Sequence, residues 1–233
     1  MINWNNKINS LKQTPEYIYK SIAINAKSWT LLLLSILILS YNDIFNGLLT
    51  FFYMLFASHI FHYFCHLALY TNSVHLYHHN HNNFLSHFTQ VILEFCSSLF
   101  FIFTKKLCNW HFLNVGIIIY YYIFYTTVHN INYSVFHVNN VHENHHKLLL
   151  LNLGPDICDI LFQTKFDINN SIEQTDHYIP NILLTLLVVL ICKLIWSHAS
   201  FGEKNIITNI FIFIYGIFSL LLIYYTIYFN FIH

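Results

Sequence analysis

Arginine is absent from this 233-residue chain, and all ten basic side chains are lysine. With the abundance of Asn, Ile, Phe and Tyr, that absence reads as codon supply in an AT-rich genome and carries no functional weight. Charge of either sign is scarce, at 9% of residues against about 25% in soluble domains, which excludes an ordinary soluble domain. Ten acids balance the ten lysines, so the chain offers no basic surface for nucleic acid. Five glycines and three prolines leave no long flexible linker, and there is no Gly-rich phosphate loop, internal repeat or coiled-coil heptad. The five cysteines (Cys65, Cys96, Cys108, Cys158 and Cys192) are scattered without a C-x-x-C pair. That pattern excludes a disulfide framework and a cysteine zinc site.

What is present is apolar. Hydrophobic residues make up 56% of the chain, aromatic residues 19%, and the mean hydropathy is +0.51. A helix needs about 20 apolar residues to cross the hydrocarbon core. The runs that meet or approach this are Trp29–Phe45, Gly47–Leu69, Phe84–Phe103, Phe112–Val128, Ile179–Trp196 and Ile206–Ile232. His87, Gln90 and Glu94 interrupt the third of these, so it reads either as a span, as re-entrant, or as packed against a polar site. The expected fold is therefore an all-α, multi-pass transmembrane bundle, with four core spans, two C-terminal spans and a histidine-rich cytosolic cap. Residues 1–28 form a polar N-terminal segment, too long before the first apolar run for a cleavable signal, so that run is expected to be an anchor. Residues 179–233 form a C-terminal transmembrane hairpin.

Histidine is the other excess. The chain carries His62-x3-His66, His75-x2-His78-His79 and His142-x2-His145-His146. Residues three and four apart share a helix face, so each cluster aims two or three imidazoles at a common point. Imidazole suits iron, zinc, copper and nickel. With the N-terminus in the cytosol, two hairpins return His62, His66 and His129 to the side where the other clusters lie. Lys7, Lys12, Lys20, Lys27, Lys147 and Lys165 fall there too, against Lys105, Lys106, Lys193 and Lys204 elsewhere, a positive-inside bias. His129 completes nine donors, too many for one ion and suited to two with open positions. His59, His81, His87, His137 and His177 are further candidates as ligands or as partners of ligands, whereas His111, His198 and His233 read as incidental. Distal imidazole N–H groups need acceptors, for which Glu143, Asn152, Asp156 and Asp159 are the candidates. Asp156 and Asp159 also read as helix-start residues after Gly154-Pro155.

After the third cluster come Asn152-Leu153-Gly154, Asp156, Asp159 and Phe162-Gln163-Thr164. Over residues 50–165 this order resembles the fatty acid hydroxylase/sterol desaturase superfamily. That family runs HxxxH, a short gap, HxxHH, a membrane hairpin, HxxHH, N-[FY]-G and D-x-x-F-G-T. Membrane acyl-lipid desaturases share the boxes but space the first two further apart. The chain departs in having Tyr63 after His62 where Arg is common, Gln163 in place of glycine, and Tyr133 where some members carry a histidine. The resemblance implies a catalytic domain over residues 29–178 and two iron ions, with zinc an alternative on ligand type. It also implies dioxygen and electrons from NAD(P)H through cytochrome b5 or a similar separate carrier. A lipid is the implied substrate and the endoplasmic reticulum membrane the implied location. Hydroxylation and desaturation both stay open. Readings from other classes are a histidine-rich metal transporter or storage protein and an inactive scaffold retaining zinc.

Overall fold

The computed structural model describes residues 4–67, 73–166 and 172–231. The tips of two expected spans (68–69 and 232), the first three residues and His233 lie outside these. All the regular secondary structure among the described residues is helical, without a strand. In chain order they form α1 (Trp4–Ile24), α2 (Ala26–Leu39), α3 (Ile44–Leu67), α4 (Ser73–Asn80), α5 (Phe84–Leu107) and α6 (Val115–Thr127). A π-helical turn (Val128–Tyr133), α7 (Val141–Lys147), α8 (Asp156–Phe162), α9 (Ile179–His198) and α10 (Phe201–Phe231) follow.

Four of the expected spans are helices long and apolar enough to cross a bilayer: Ile44–His66, Phe84–Leu107, Asp176–His198 and Phe201–Asn230. This is an integral membrane protein by length and composition. The third span is one continuous helix despite its polar residues. Asn83 caps its start by accepting from the Ser86 N–H at 2.9 Å. The other two expected spans differ. Trp29–Phe45 ends early, because α2 stops at Leu39 before the Tyr41-Asn42-Asp43 turn. Its 14 residues span about 21 Å, short of a core about 30 Å thick. The polar segment before it is itself helical and meets it at Asn25 with a bend of 78°, and residues 14–39 together are long and apolar enough for a broken span or a re-entrant loop. Phe112–Val128 yields the 13-residue α6, which gives way to the π-turn.

The core lies between α2, α3, α6 and α9, where Ile36, Leu39, Phe51, Met54, Ile117, Ile118, Tyr121 and Ile182 are buried. Gly47 permits the tight α2–α3 turn, since a Cβ there would fall 2.3 Å from Ser40 Cβ. Lys193 of α9 donates to the Leu39 carbonyl at 2.5 Å, satisfying the end of α2. α9 packs chiefly on α2 and α6, with Ile182, Thr185 and Val189 buried, whereas α10 packs on α4 and α5. The two apolar helices thus flank the bundle on different neighbours, each covering a face the core left bare. α1 rests on α8 and closes the histidine-bearing end.

Candidate metal centre

The three clusters and His129 converge at one end of the bundle. His62 and His66 come from the last turns of α3, His75, His78 and His79 from α4, His129 from the π-turn, and His142, His145 and His146 from α7. Helical i, i+3 and i+4 spacing puts each set on one face, and packing turns those faces toward one another. One donor atom each from His62, His66, His75, His79 and His145 lies within 4.8 Å of the others, and His78, His129 and His142 form a second such group. His146 sits between the groups, its Nε2 2.8 Å from His142 Nε2 and its ring 4.2 Å from that of His79.

Tautomers follow from the outer partners. A carbonyl or carboxylate oxygen only accepts, so the ring nitrogen facing it carries the proton. His62 Nδ1 donates to the Leu153 carbonyl at 2.8 Å, and His145 Nδ1 to that of Leu151 at 2.8 Å. His75 Nδ1 donates to Gln90 Oε1 at 3.0 Å, and His129 Nδ1 to Glu94 Oε1 at 2.5 Å. Gln90 is fixed in this orientation because its amide nitrogen donates to Glu94 Oε1 at 3.0 Å. Each of the four Nε2 atoms is therefore left as a lone pair.

Those lone pairs face one another. His62 Nε2 and His75 Nε2 are 3.0 Å apart with no proton between them to share. Such a contact is repulsive unless a cation lies against both. Ligand nitrogens at ~2.1 Å from one ion and at right angles are ~3.0 Å apart. The neighbouring pairs His66–His75, His75–His79 and His66–His145, at 3.2, 3.1 and 3.3 Å, are similarly spaced. In the second group, Nε2 of His78 and of His129 are buried with no hydrogen-bond partner, a costly state for a polar atom unless it binds something. The donor set thus fits metal ions. Burial and neighbouring imidazoles also push His75 down to about 3 and His146 down to about 4. The same causes hold His78, His79, His142 and His145 below the ordinary imidazole value. Neutral imidazole is the form that coordinates.

The carboxylates expected to orient the imidazoles do something else. Glu143 is exposed and pairs with Lys147 at 2.6 Å, one turn away on α7. Asp156 accepts from Ser21 Oγ and is paired, buried, with Lys165. Asn152, at φ 52°, ties Val141 O to the Phe166 N–H. Asp159 accepts from the N–H groups of Leu153 and Gly154 at 2.9 and 2.8 Å and from Thr164 Oγ1 at 2.7 Å. Burial raises its carboxyl to about 7 against those donors. Its role is one step removed: it holds the Asn152-Leu153-Gly154 turn, whose carbonyl then takes the His62 proton. Backbone oxygens orient His62 and His145, and Gln90 and Glu94 of α5 orient His75 and His129; nothing in a side-chain pattern marks a carbonyl.

Among the further histidine candidates, His59 turns away from the centre. Its Nδ1 faces the Gly154 carbonyl at 3.0 Å, and its ring stacks on Phe162. His81 stacks on Tyr77, and His137 is an exposed residue at φ 47°. His87 faces Asn82 Oδ1 at 2.9 Å, and His177 faces the Gln174 carbonyl. None of these five joins either donor group. Tyr133 stacks on His142 and hydrogen-bonds Glu173 and Tyr178.

A cavity of about 40 Å³ touches His62 and His75 together with Gln90 and Glu94, and two larger cavities also meet the histidines. One, of about 110 Å³, has His62, His129, His142 and His145 in its wall, and Trp29, Leu32, Phe51, Leu55, Phe124 and Tyr125 among its apolar lining. The other, of about 300 Å³, is polar and touches His78, His79, His142 and His146 together with Asn139, Asn140 and Glu143.

Fold and site define a class: a multi-helix membrane protein whose clustered histidines could hold metal ions. No family model, curated protein or solved structure matches the chain.

Proposed function

We propose that the protein is an integral-membrane, two-metal oxidoreductase that uses dioxygen to hydroxylate or desaturate a lipid. One observation carries the metal part: the deprotonated Nε2 atoms of His62 and His75, 3.0 Å apart and without a shared proton. His62, His66, His75, His79 and His145 would hold one ion, and His78, His129 and His142, with His146 adjacent, the other. The oxidative part rests on the order of the histidine boxes and of the N-x-G…D…F-x-T tail. Two such ions, iron on that resemblance, would supply dioxygen activation and the removal of hydrogen from an unactivated C–H bond.

The chain's own contribution is to bind and exclude. Trp29, Leu32, Phe51, Leu55 and Phe124 would offer an apolar group one wall of a cavity that His62, His129, His142 and His145 also line. Electrons would come from a separate carrier of the cytochrome b5 type, drawing on NAD(P)H. On this reading the polar cavity beside His78, His79 and His146 would be the carrier's approach to the ions. The endoplasmic reticulum, with the histidine end in the cytosol, is the location this reading assigns. A transporter would distribute ligands along a transmembrane path, whereas all nine gather at one end of the bundle.

Lipid profiling of cells expressing the wild type, His145→Ala or His146→Ala tests the proposal. An oxygen-dependent lipid product is expected from the wild type and from neither variant. Ion flux that responds to the variants without any lipid change would replace it with transport.

A further inference from the structure

Ser86, Gln90 and Glu94 recur every four residues along α5 and so occupy one face of that helix. All three are buried, in a helix apolar enough to cross the membrane. A polar stripe in such a place is expensive unless it is used. Each member holds a different histidine. Ser86 Oγ is 3.2 Å from His78 Nδ1, Gln90 Oε1 3.0 Å from His75 Nδ1, and Glu94 Oε1 2.5 Å from His129 Nδ1. Those histidines belong to α4 and to the π-turn, and they serve both donor groups.

The stripe is also continuous. Gln90 takes the His75 proton on its oxygen and donates from its nitrogen to Glu94, which accepts from His129 on the same oxygen. Asn130 donates to the other oxygen of Glu94 at 2.9 Å. Gln90, His129 and Asn130 thus converge on the two oxygens of Glu94. An unbroken run of hydrogen bonds, His75–Gln90–Glu94–His129, therefore joins one donor group to the other. We propose that Ser86, Gln90 and Glu94 are positioning residues that set the donor atoms of both metal centres. Glu94 adds a buried negative charge behind a ligand set of neutral imidazoles. A carboxylate that accepts a ligand's distal N–H fixes its ring and raises its basicity, and Gln90 transmits any change at Glu94 to His75.

The proposal rests on the two-metal reading above, and its test separates the two. The full-length protein, purified in detergent, is titrated with Co²⁺ against a competing chelator while its visible absorption is recorded. Wild-type protein that binds no Co²⁺ would sink the two-metal reading itself. If the wild type binds two, Glu94→Gln, which keeps shape and loses charge, is expected to weaken one of them roughly 10- to 100-fold. It should also shift the Co²⁺ absorption, which a purely structural role would leave unmoved. Glu94→Asp, which restores the charge one methylene short, should recover part of the loss. Unchanged affinities and an unchanged spectrum in Glu94→Gln overturn the proposal. Should that variant fail to fold, Gln90→Met cuts the same run and leaves Glu94 in place. It is expected to weaken the five-histidine centre, and wild-type affinity at both centres would again overturn the proposal.

Discussion

The left-handed residues show how single positions serve the site. Asn152 and Gly154, at φ 52° and 64°, shape the turn whose carbonyls face His62 and His59. Glycine adopts that region freely and asparagine more readily than most residues. Gln163 closes α8 in the same region, at φ 58° and ψ 35°, where a side chain with a Cβ is strained. This is the position at which the resembling family has glycine. Gln163→Gly should therefore stabilise the protein by roughly 0.5–1 kcal/mol, visible as a higher melting temperature in detergent with the metal content unchanged. A lower melting temperature would show that Gln163 contributes contacts worth more than its backbone strain.

Elements act here as frames that carry ligands to one another. α3 brings His62 and His66, but its height relative to α2 is set far away, at Gly47 and the Ser40 turn. Thr50 then ties α3 to the approach to α6, donating to the Phe112 carbonyl at 3.1 Å and accepting from the Asn114 N–H at 2.8 Å. Gly47→Ala would place a methyl group 2.1 Å from Ser40 Oγ and force the two helices apart. The expected cost is roughly 1–3 kcal/mol, and thermal unfolding in detergent measures it. An unchanged melting point would mean that the turn absorbs the methyl group without moving α3. The π-turn after α6 has a comparable role, since its wider winding interrupts the helix where His129 meets Glu94.

For the molecule as a whole, the concentration of buried neutral histidine makes stability depend on pH. In the unfolded chain these groups titrate near 6.5, whereas in the folded protein His146 is held at about 4 and His75 at about 3. Between those values the unfolded state binds more protons, so stability falls as pH drops below about 6.5. The loss approaches about 1.4 kcal/mol per pH unit for each such group and levels off once the folded values are passed. Metal-free protein should therefore melt at progressively lower temperature from pH 7 to pH 4.5. Metal-loaded protein should resist until the ions are released. A melting temperature independent of pH in the metal-free protein would show that the imidazoles are solvated rather than enclosed.

Much of this was written in the order of residues. Apolar run length, read as 47–69, 84–103, 179–196 and 206–232, located four of the helices to within about five residues, because crossing a bilayer is a local demand on consecutive side chains. The i, i+3 and i+4 histidines identified the donor set, because helical periodicity fixes which residues share a face. Tertiary packing decided the rest. Only the folded chain shows that backbone oxygens of Leu151 and Leu153 accept hydrogen bonds from His145 and His62, or that Asp159 acts through a turn. The bend at Asn25, held by donation to the Glu173 carbonyl and acceptance from the Thr175 N–H, joins residues about 150 positions apart. The signal of the Ser86-Gln90-Glu94 stripe was present as four-residue spacing, yet its partners lie on other elements. Local sequence sets which groups a helix presents, and distance through the chain hides what they meet.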